Sequence, residues 1–238
     1  MRPTTVLTTL ISLGCLLAAK VEAASLEISP VMVTLAPGQT TATIEVQNRG
    51  DSPTAVQTRA YRWTQAGDDD ALTETQDIIL SPPIFTLPEG ASQTVRLLLR
   101  GGGGAEGERS YRLLLDQVPP ATEGNKQIVI ALRVSLPVVA ASASSAPPTL
   151  RWGVERGAGG ETVLTAVNTG QAYDRVGAID VTLSDGSHPK VVARGANTYI
   201  LPDARRRWSL GADGGAPAGP LRLSVTTRAG KSDYILAP

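Results

Sequence analysis

The side chains that could do chemistry in this chain are few and scattered. Its one histidine, His188, lies in Ser184-Asp185-Gly186-Ser187-His188-Pro189, a composition that predicts a hairpin turn. A serine nucleophile needs a base held by an orienting acid, and a turn histidine reads as a solvated surface residue rather than that base. With one His and one Cys, a zinc ligand set cannot be assembled. Asp68-Asp69-Asp70 lacks the alternating oxygens and the glycine of a calcium loop, and reads as a solvated acidic loop tip. Arg205-Arg206-Arg207 could meet a phosphate, but reads as a strand start whose alternate side chains face water. No catalytic residue, metal or cofactor is therefore expected.

One cation stands apart. Arg133 interrupts QIVIALRVSLPVV, residues 127–139, in which Ile128, Ile130, Leu132, Val134 and Leu136 recur with period two. The other face carries Val129, Ala131, Arg133 and Ser135, so it too is mostly apolar. A long apolar strand left at a sheet edge invites pairing with another chain. Composition favours a neighbouring strand of the same protein as its cover, because buried strands are common and open edges rare.

The elements that must position these residues are strands. Short alternating runs are punctuated by Gly, Pro, Asn and Asp, and helix signals are nearly absent. Strand patterns fall at 26–35, 41–46, 56–63, 78–80, 84–87, 94–99 and 111–115, before the strand at 127–139. That rhythm predicts an immunoglobulin-like sandwich. Ala140-Ala141-Ser142-Ala143-Ser144-Ser145-Ala146-Pro147-Pro148 reads as a linker, after which the pattern restarts. TVLTAVNTG (162–170) echoes TATIEVQNRG (41–50), and ILPDARRRWSL (200–210) echoes TLPEGASQTVRL (86–97), in the same order. The expectation is an all-β chain of two tandem immunoglobulin-like β-sandwiches, over 24–140 and 149–238, joined by a linker at 141–148.

The compartment follows from the start of the chain. Arg2, an apolar run from Val6 to Ala19 and the Val21-Glu22-Ala23 site have the form of a secretory signal peptide, expected to be removed after Ala23. Cys15, the only cysteine, falls inside that leader, so the remaining chain carries no disulfide. Acidic and basic residues number 22 each over the whole sequence. That balance gives no electrostatic footprint for nucleic acid, and no membrane insertion is expected.

Several blocks carry a family resemblance. SPPIFTLPEGASQTVRLLL (81–99) and SYRLLLDQVPP (110–120), with SPVMVTLAPGQTTATIEVQN (29–48) before them, resemble the PapD-like periplasmic chaperones of the chaperone–usher pathway. The wording YRLLLDQVP is similar to the branch serving spore-coat-U-like or archaic fimbriae. The resemblance implies two immunoglobulin-like domains set at an angle, and a periplasmic protein that is not an enzyme. It implies fimbrial or pilus subunits and an outer-membrane usher as partners, and capture of subunits by donation of the last strand of the first domain. Carried onto this sequence, the donated residues are Ile128, Ile130, Leu132 and Val134, with a client taking one face of the strand and the protein's own core the other.

The sequence departs from the best-known branch at one point. There, a basic residue on the first strand and a lysine on the last hold the subunit's C-terminal carboxylate. Here residues 26–35 carry no basic residue, and the lysine's place falls at Ser135. Arg133 is the candidate replacement, since a guanidinium suits a carboxylate, with Arg96 as the candidate companion. A charge snorkelling from a sheet edge is the alternative for Arg133. The rival for the whole chain is a secreted tandem-sandwich adhesin or structural pilus protein, which would tend to carry a disulfide or a donor extension ahead of its first strand.

Overall fold

A computed structural model describes residues 26–101, 107–119, 131–189, 191, 198–210 and 219–237. The described residues form two β-sandwiches. In the first, one sheet has the order β1 (Leu26–Ser29), β3 (Thr41–Asn48), β8 (Ser92–Leu99), β6 (Ile78–Ser81). The opposing sheet has the order β2 (Val33–Leu35), β10 (Arg133–Ala140), β9 (Arg109–Val118), β4 (Thr54–Ala66), β5 (Asp69–Glu74), with β7 (Ile84–Leu87) also paired to β4. Period-two alternation turns Ile44, Val46, Val95, Leu97, Leu113, Leu115, Leu136 and Val138 inward to one core.

Residues 26–35, expected as one strand, are two. β1 pairs antiparallel with β3, whereas β2 crosses to the other sheet and pairs parallel with β10. Pro30 lies between them, where a residue without N–H cannot extend a ladder.

The second sandwich packs β11 (Leu150–Arg156), β12 (Thr162–Asn168) and β15 (Arg205–Ser209) against a sheet of order β14 (Tyr199–Ile200), β13 (Asp174–Thr182), β16 (Leu221–Thr227), β17 (Gly230–Leu236). The sequence echoes are structural equivalents. Buried Asn48 donates its amide to the carbonyls of Leu87 and Ser52, and Asn168 donates to those of Ile200 and Ala172. Each side-chain oxygen accepts from a glycine two residues on, Gly50 and Gly170. The Leu-Pro-acid turns also match: Gly90 N–H donates to the Asn48 carbonyl and Asp203 N–H to that of Asn168. Both Gly90 (φ 70°) and Asp203 (φ 60°) adopt the left-handed conformation, which aspartate tolerates better than most side chains.

The sandwiches are not beads on a string. Trp63 of β4, Val139 of β10 and Met32 pack into the second core, with the Trp63 and Tyr199 rings 5.4 Å apart and edge-on. Arg112, buried on β9, sits 3.7 Å over the Trp63 ring. The Gln65 side chain bonds both ways to the second domain, to Tyr199 O at 3.1 Å and from Leu201 N at 3.0 Å.

Two features expected to face water face each other instead. Asp69 and Asp70 begin strand β5 rather than a loop tip, and Arg206 on β15 turns inward to the Asp70 carboxylate and the Asp68 carbonyl. Arg206 is 2% exposed. Its neighbours Arg205 and Arg207 stay outward and bind Glu155, at 2.5 and 2.7 Å. The alternation was legible, but the partner lying 136 residues away was not.

Candidate functional site

The arrangement of β10 sets its chemistry. Along Arg133–Ala140 it pairs antiparallel with β9, from Arg133 opposite Asp116 to Ala140 opposite Arg109. On its other side β2 covers only Val138, Val139 and Ala140. Among the described residues, the stretch 133–137 is therefore an open edge, with backbone hydrogen-bonding groups directed away from the sheet. Pro137, which has no N–H, stands where cover gives way to open edge. The cover expected on composition is thus present only over the last three residues of β10.

Burial falls off along one face of the strand. Val138 is 0% exposed and Leu136 3%, Val134 is half-buried against the same core, and Leu132 is 36% exposed. The expected division between two faces does not hold here. The protein's own core uses the even-numbered face, which carries Val134 and Leu132, and the strand leaves that core by running past its end. The odd-numbered face exposes Arg133 and Ser135 and buries Val139 against the second sandwich. Ile128 and Ile130 lie outside the described residues, as do residues 1–23, expected as a leader.

Arg133 is not a lone cation. Its Nε donates to one oxygen of Asp116, and Arg59 of β4 donates to the other. Burial works to raise the Asp116 carboxyl, but the hydrogen bonds from Arg133 and Arg59 outweigh it and hold the group below its ordinary value. The hydrogen bond to Asp116 raises Arg133 in turn.

Arg96 is elsewhere. It projects from β8, opposite Thr43 and Ser81, on the outward face of the other sheet, beside a groove lined by Ile79 and Leu98. Two outward faces of one sandwich point apart, so Arg96 and Arg133 are not brought together. Sequence reasoning missed both Asp116 and Arg59. Antiparallel pairing of 110–120 with 127–139 was the available signal, but the register could not be set from the sequence alone.

Elsewhere the chemistry is sparse. His188 is exposed on its turn, 3.2 Å from the Thr182 hydroxyl. Among the described residues no group of three or more His, Cys, Asp or Glu gathers to hold a metal, and no helix is long and apolar enough to cross a membrane.

Comparison with known proteins decides the family. Residues 25–141 match the family described as "Pili and flagellar-assembly chaperone, PapD N-terminal domain". The first sandwich belongs to the PapD-like chaperones. No curated protein matches this chaperone by sequence. Its fold is found in solved structures that span both sandwiches. One is the CsuC–CsuE chaperone–tip adhesion subunit pre-assembly complex from archaic chaperone–usher Csu pili of Acinetobacter baumannii. That likeness has 22% identity and a TM-score of 0.67, covering 90% of this chain and 98% of the other. The SafA pilin–SafB chaperone complex of Salmonella enterica gives 20% identity and a TM-score of 0.63, covering 90% and 98%. The E. coli chaperone DraB gives 20% and 0.60, covering 89% and 95%. Two tandem immunoglobulin-like sandwiches are the shared architecture.

Proposed function

We propose that this PapD-like chaperone captures pilus subunits in the periplasm by lending them the strand 127–139. Ile128, Ile130, Leu132 and Val134 are the lent side chains, and Arg133 holds the subunit's terminal carboxylate. The chaperone then passes the subunit to an outer-membrane usher. The observation that carries the reading is the open edge of β10 with the emergence of its apolar face from the core, Leu136 buried and Leu132 exposed. Hydrogen bonds along a free edge give affinity, and alternate side chains entering a client's groove give specificity. Each lent side chain contributes roughly 1.5–3 kcal/mol if fully buried. No nucleotide is needed, because the client's later exchange to a better-fitting strand supplies the drive.

The leader is read as a signal peptide removed after Ala23, and N-terminal sequencing of the secreted protein should begin at Ala24. The capture is tested by expressing the chaperone in a host carrying pilus subunits and identifying what co-purifies by mass spectrometry. A stoichiometric small subunit supports the reading. Recovery of the chain alone, or within a fibre, overturns it in favour of an adhesin or structural protein.

A further inference from the structure

Sulfur is scarce in this chain, which holds Met1, Cys15 and Met32 and no other. Met1 and Cys15 fall in the segment expected as a leader, so Met32 is the one sulfur of the remaining chain. It ends Pro30-Val31-Met32, the crossing that carries the backbone from β1 in one sheet to β2 in the other. Val31 turns outward, 73% exposed, while Met32 is half-buried and packs against the second core.

Tyr173 of the second sandwich meets it there. The Tyr173 hydroxyl donates to Met32 Sδ at 3.8 Å, and the Tyr173 N–H donates to Glu108, just ahead of β9, at 2.9 Å. Both ends of this residue of the second sandwich are thus held by the first. Tyr173 is buried, with the Tyr199 ring 5.9 Å away and the Arg228 guanidinium 4.4 Å over its own. A thioether suits the place because it is apolar, adaptable and a weak acceptor. It is also a group that peroxides oxidise to a polar one.

We propose that Met32 is an oxidative-modification site, whose conversion to the sulfoxide by a peroxide loosens the junction between the sandwiches. The inference does not depend on strand capture. A sulfur lone pair attacks the peroxide, and the S–O bond forms as the O–O bond breaks. The departing hydroxide takes the proton of the transferred hydroxyl and leaves as water, so sulfur is oxidised and the peroxide reduced. Half-burial leaves Sδ within reach of so small an oxidant. The new oxygen carries lone pairs that an apolar junction cannot satisfy, and along the Sδ–Oη line it crowds the Tyr173 hydroxyl. Met32 must then withdraw toward water. β2 begins at the next residue and covers Val138, Val139 and Ala140, so its pairing with β10 weakens too. Sulfoxide reductases restore the thioether, which makes the change reversible.

The test treats the secreted chaperone with hydrogen peroxide and locates the added oxygen by peptide mapping. Met32 should carry it, and the melting temperature should fall by about 2–4 °C or more, the shift expected for a modest weakening in a chain of this size. Amide exchange should quicken in β2 and at Val138–Ala140, while that of β12 stays as it was. Methionine sulfoxide reductases acting on both epimers should reverse both changes. Met32→Leu, which keeps size and apolarity, should melt close to wild type and show no response to peroxide. Failure of Met32 to oxidise under conditions that oxidise a free methionine peptide would overturn the site. Oxidised Met32 with unchanged melting and exchange would overturn its coupling to the junction, and an equal peroxide response in Met32→Leu would place the sensitive group elsewhere.

Discussion

Arg206 of the second sandwich reaches the Asp70 carboxylate and the Asp68 carbonyl of the first, so a buried ion pair crosses the junction between domains. Arg112 stands 3.7 Å from the same carboxylate and stacks on Trp63. The β4–β5 hairpin is thereby fastened at its tip, and the direction in which the second domain leaves the first is set. Removing one member of a buried pair leaves the other without compensation. Arg206→Met should therefore lower stability by about 3 kcal/mol, the low end of the usual range because Arg112 remains beside Asp70. Urea unfolding measures the loss, and small-angle scattering should show a broadened interdomain distance distribution. A variant with wild-type midpoint and scattering would show that apolar contacts alone hold the domains.

Asn48 and Asn168 make parallel predictions. Each amide holds the carbonyl that precedes a Leu-Pro-acid turn or opens it, Leu87 in one domain and Ile200 in the other. Asn48→Ala and Asn168→Ala should each cost about 1–3 kcal/mol, since a buried carbonyl is left unpaired. The two losses should add when the variants are combined, because they act in separate sandwiches. Chemical denaturation of the two single variants and the double variant checks this.

Leu132, just ahead of β10, and Leu136 within it are in step by the strand's period but differ in environment. Leu136→Asp places a carboxylate in the first core, where burial costs several kcal/mol, and should prevent folding. Leu132→Asp leaves the carboxylate near water in the free chaperone, so its circular dichroism and melting should stay close to wild type. Subunit capture should nevertheless be lost, because the same carboxylate would have to enter a client groove. Ile130→Asp should behave like Leu132→Asp. A folded Leu132→Asp that captures subunits normally would move the lent segment elsewhere.

Acid should act on two carboxyls with opposite sign. Asp116 is held below its ordinary value, so its contribution is full above the unfolded value, ~3.9, and is lost as pH falls through the lower folded value. Glu108 is raised chiefly by burial, against the Tyr173 N–H and Arg228, which pull it down. Its effect has the reverse sign: relative stability is greatest below the unfolded value, ~4.3, and falls as pH rises through the raised folded value. Asp116→Asn should therefore flatten the acid loss of stability, and Glu108→Gln should remove the gain seen on acidification from neutral pH. Thermal melts of both variants across pH 3–7, about the range of carboxyl titration, measure these slopes.

The sequence by itself determined the inward faces of many strands, the doubling of the sandwich and the family resemblance. Alternation is local, so Ile44 and Val46 on β3, or Leu113 and Leu115 on β9, declare their inward face without knowledge of any partner. The Asn-x-Gly and Leu-Pro-acid echoes were legible for a related reason: buried asparagines tie each strand end to a turn at a similar distance along the chain, 39 residues in one domain and 32 in the other. What the tertiary structure decided were the pairings of charges. Arg133 looked unpartnered because Asp116, 17 residues back, meets it only once β9 and β10 adopt their register. Arg206 looked solvated because three arginines in a row read as a surface strand start, and Asp70 because three aspartates read as a loop tip; the two meet only across the junction between the sandwiches. A strand's period tells which way a side chain points, but the neighbour that fills the space it points into comes from another part of the chain.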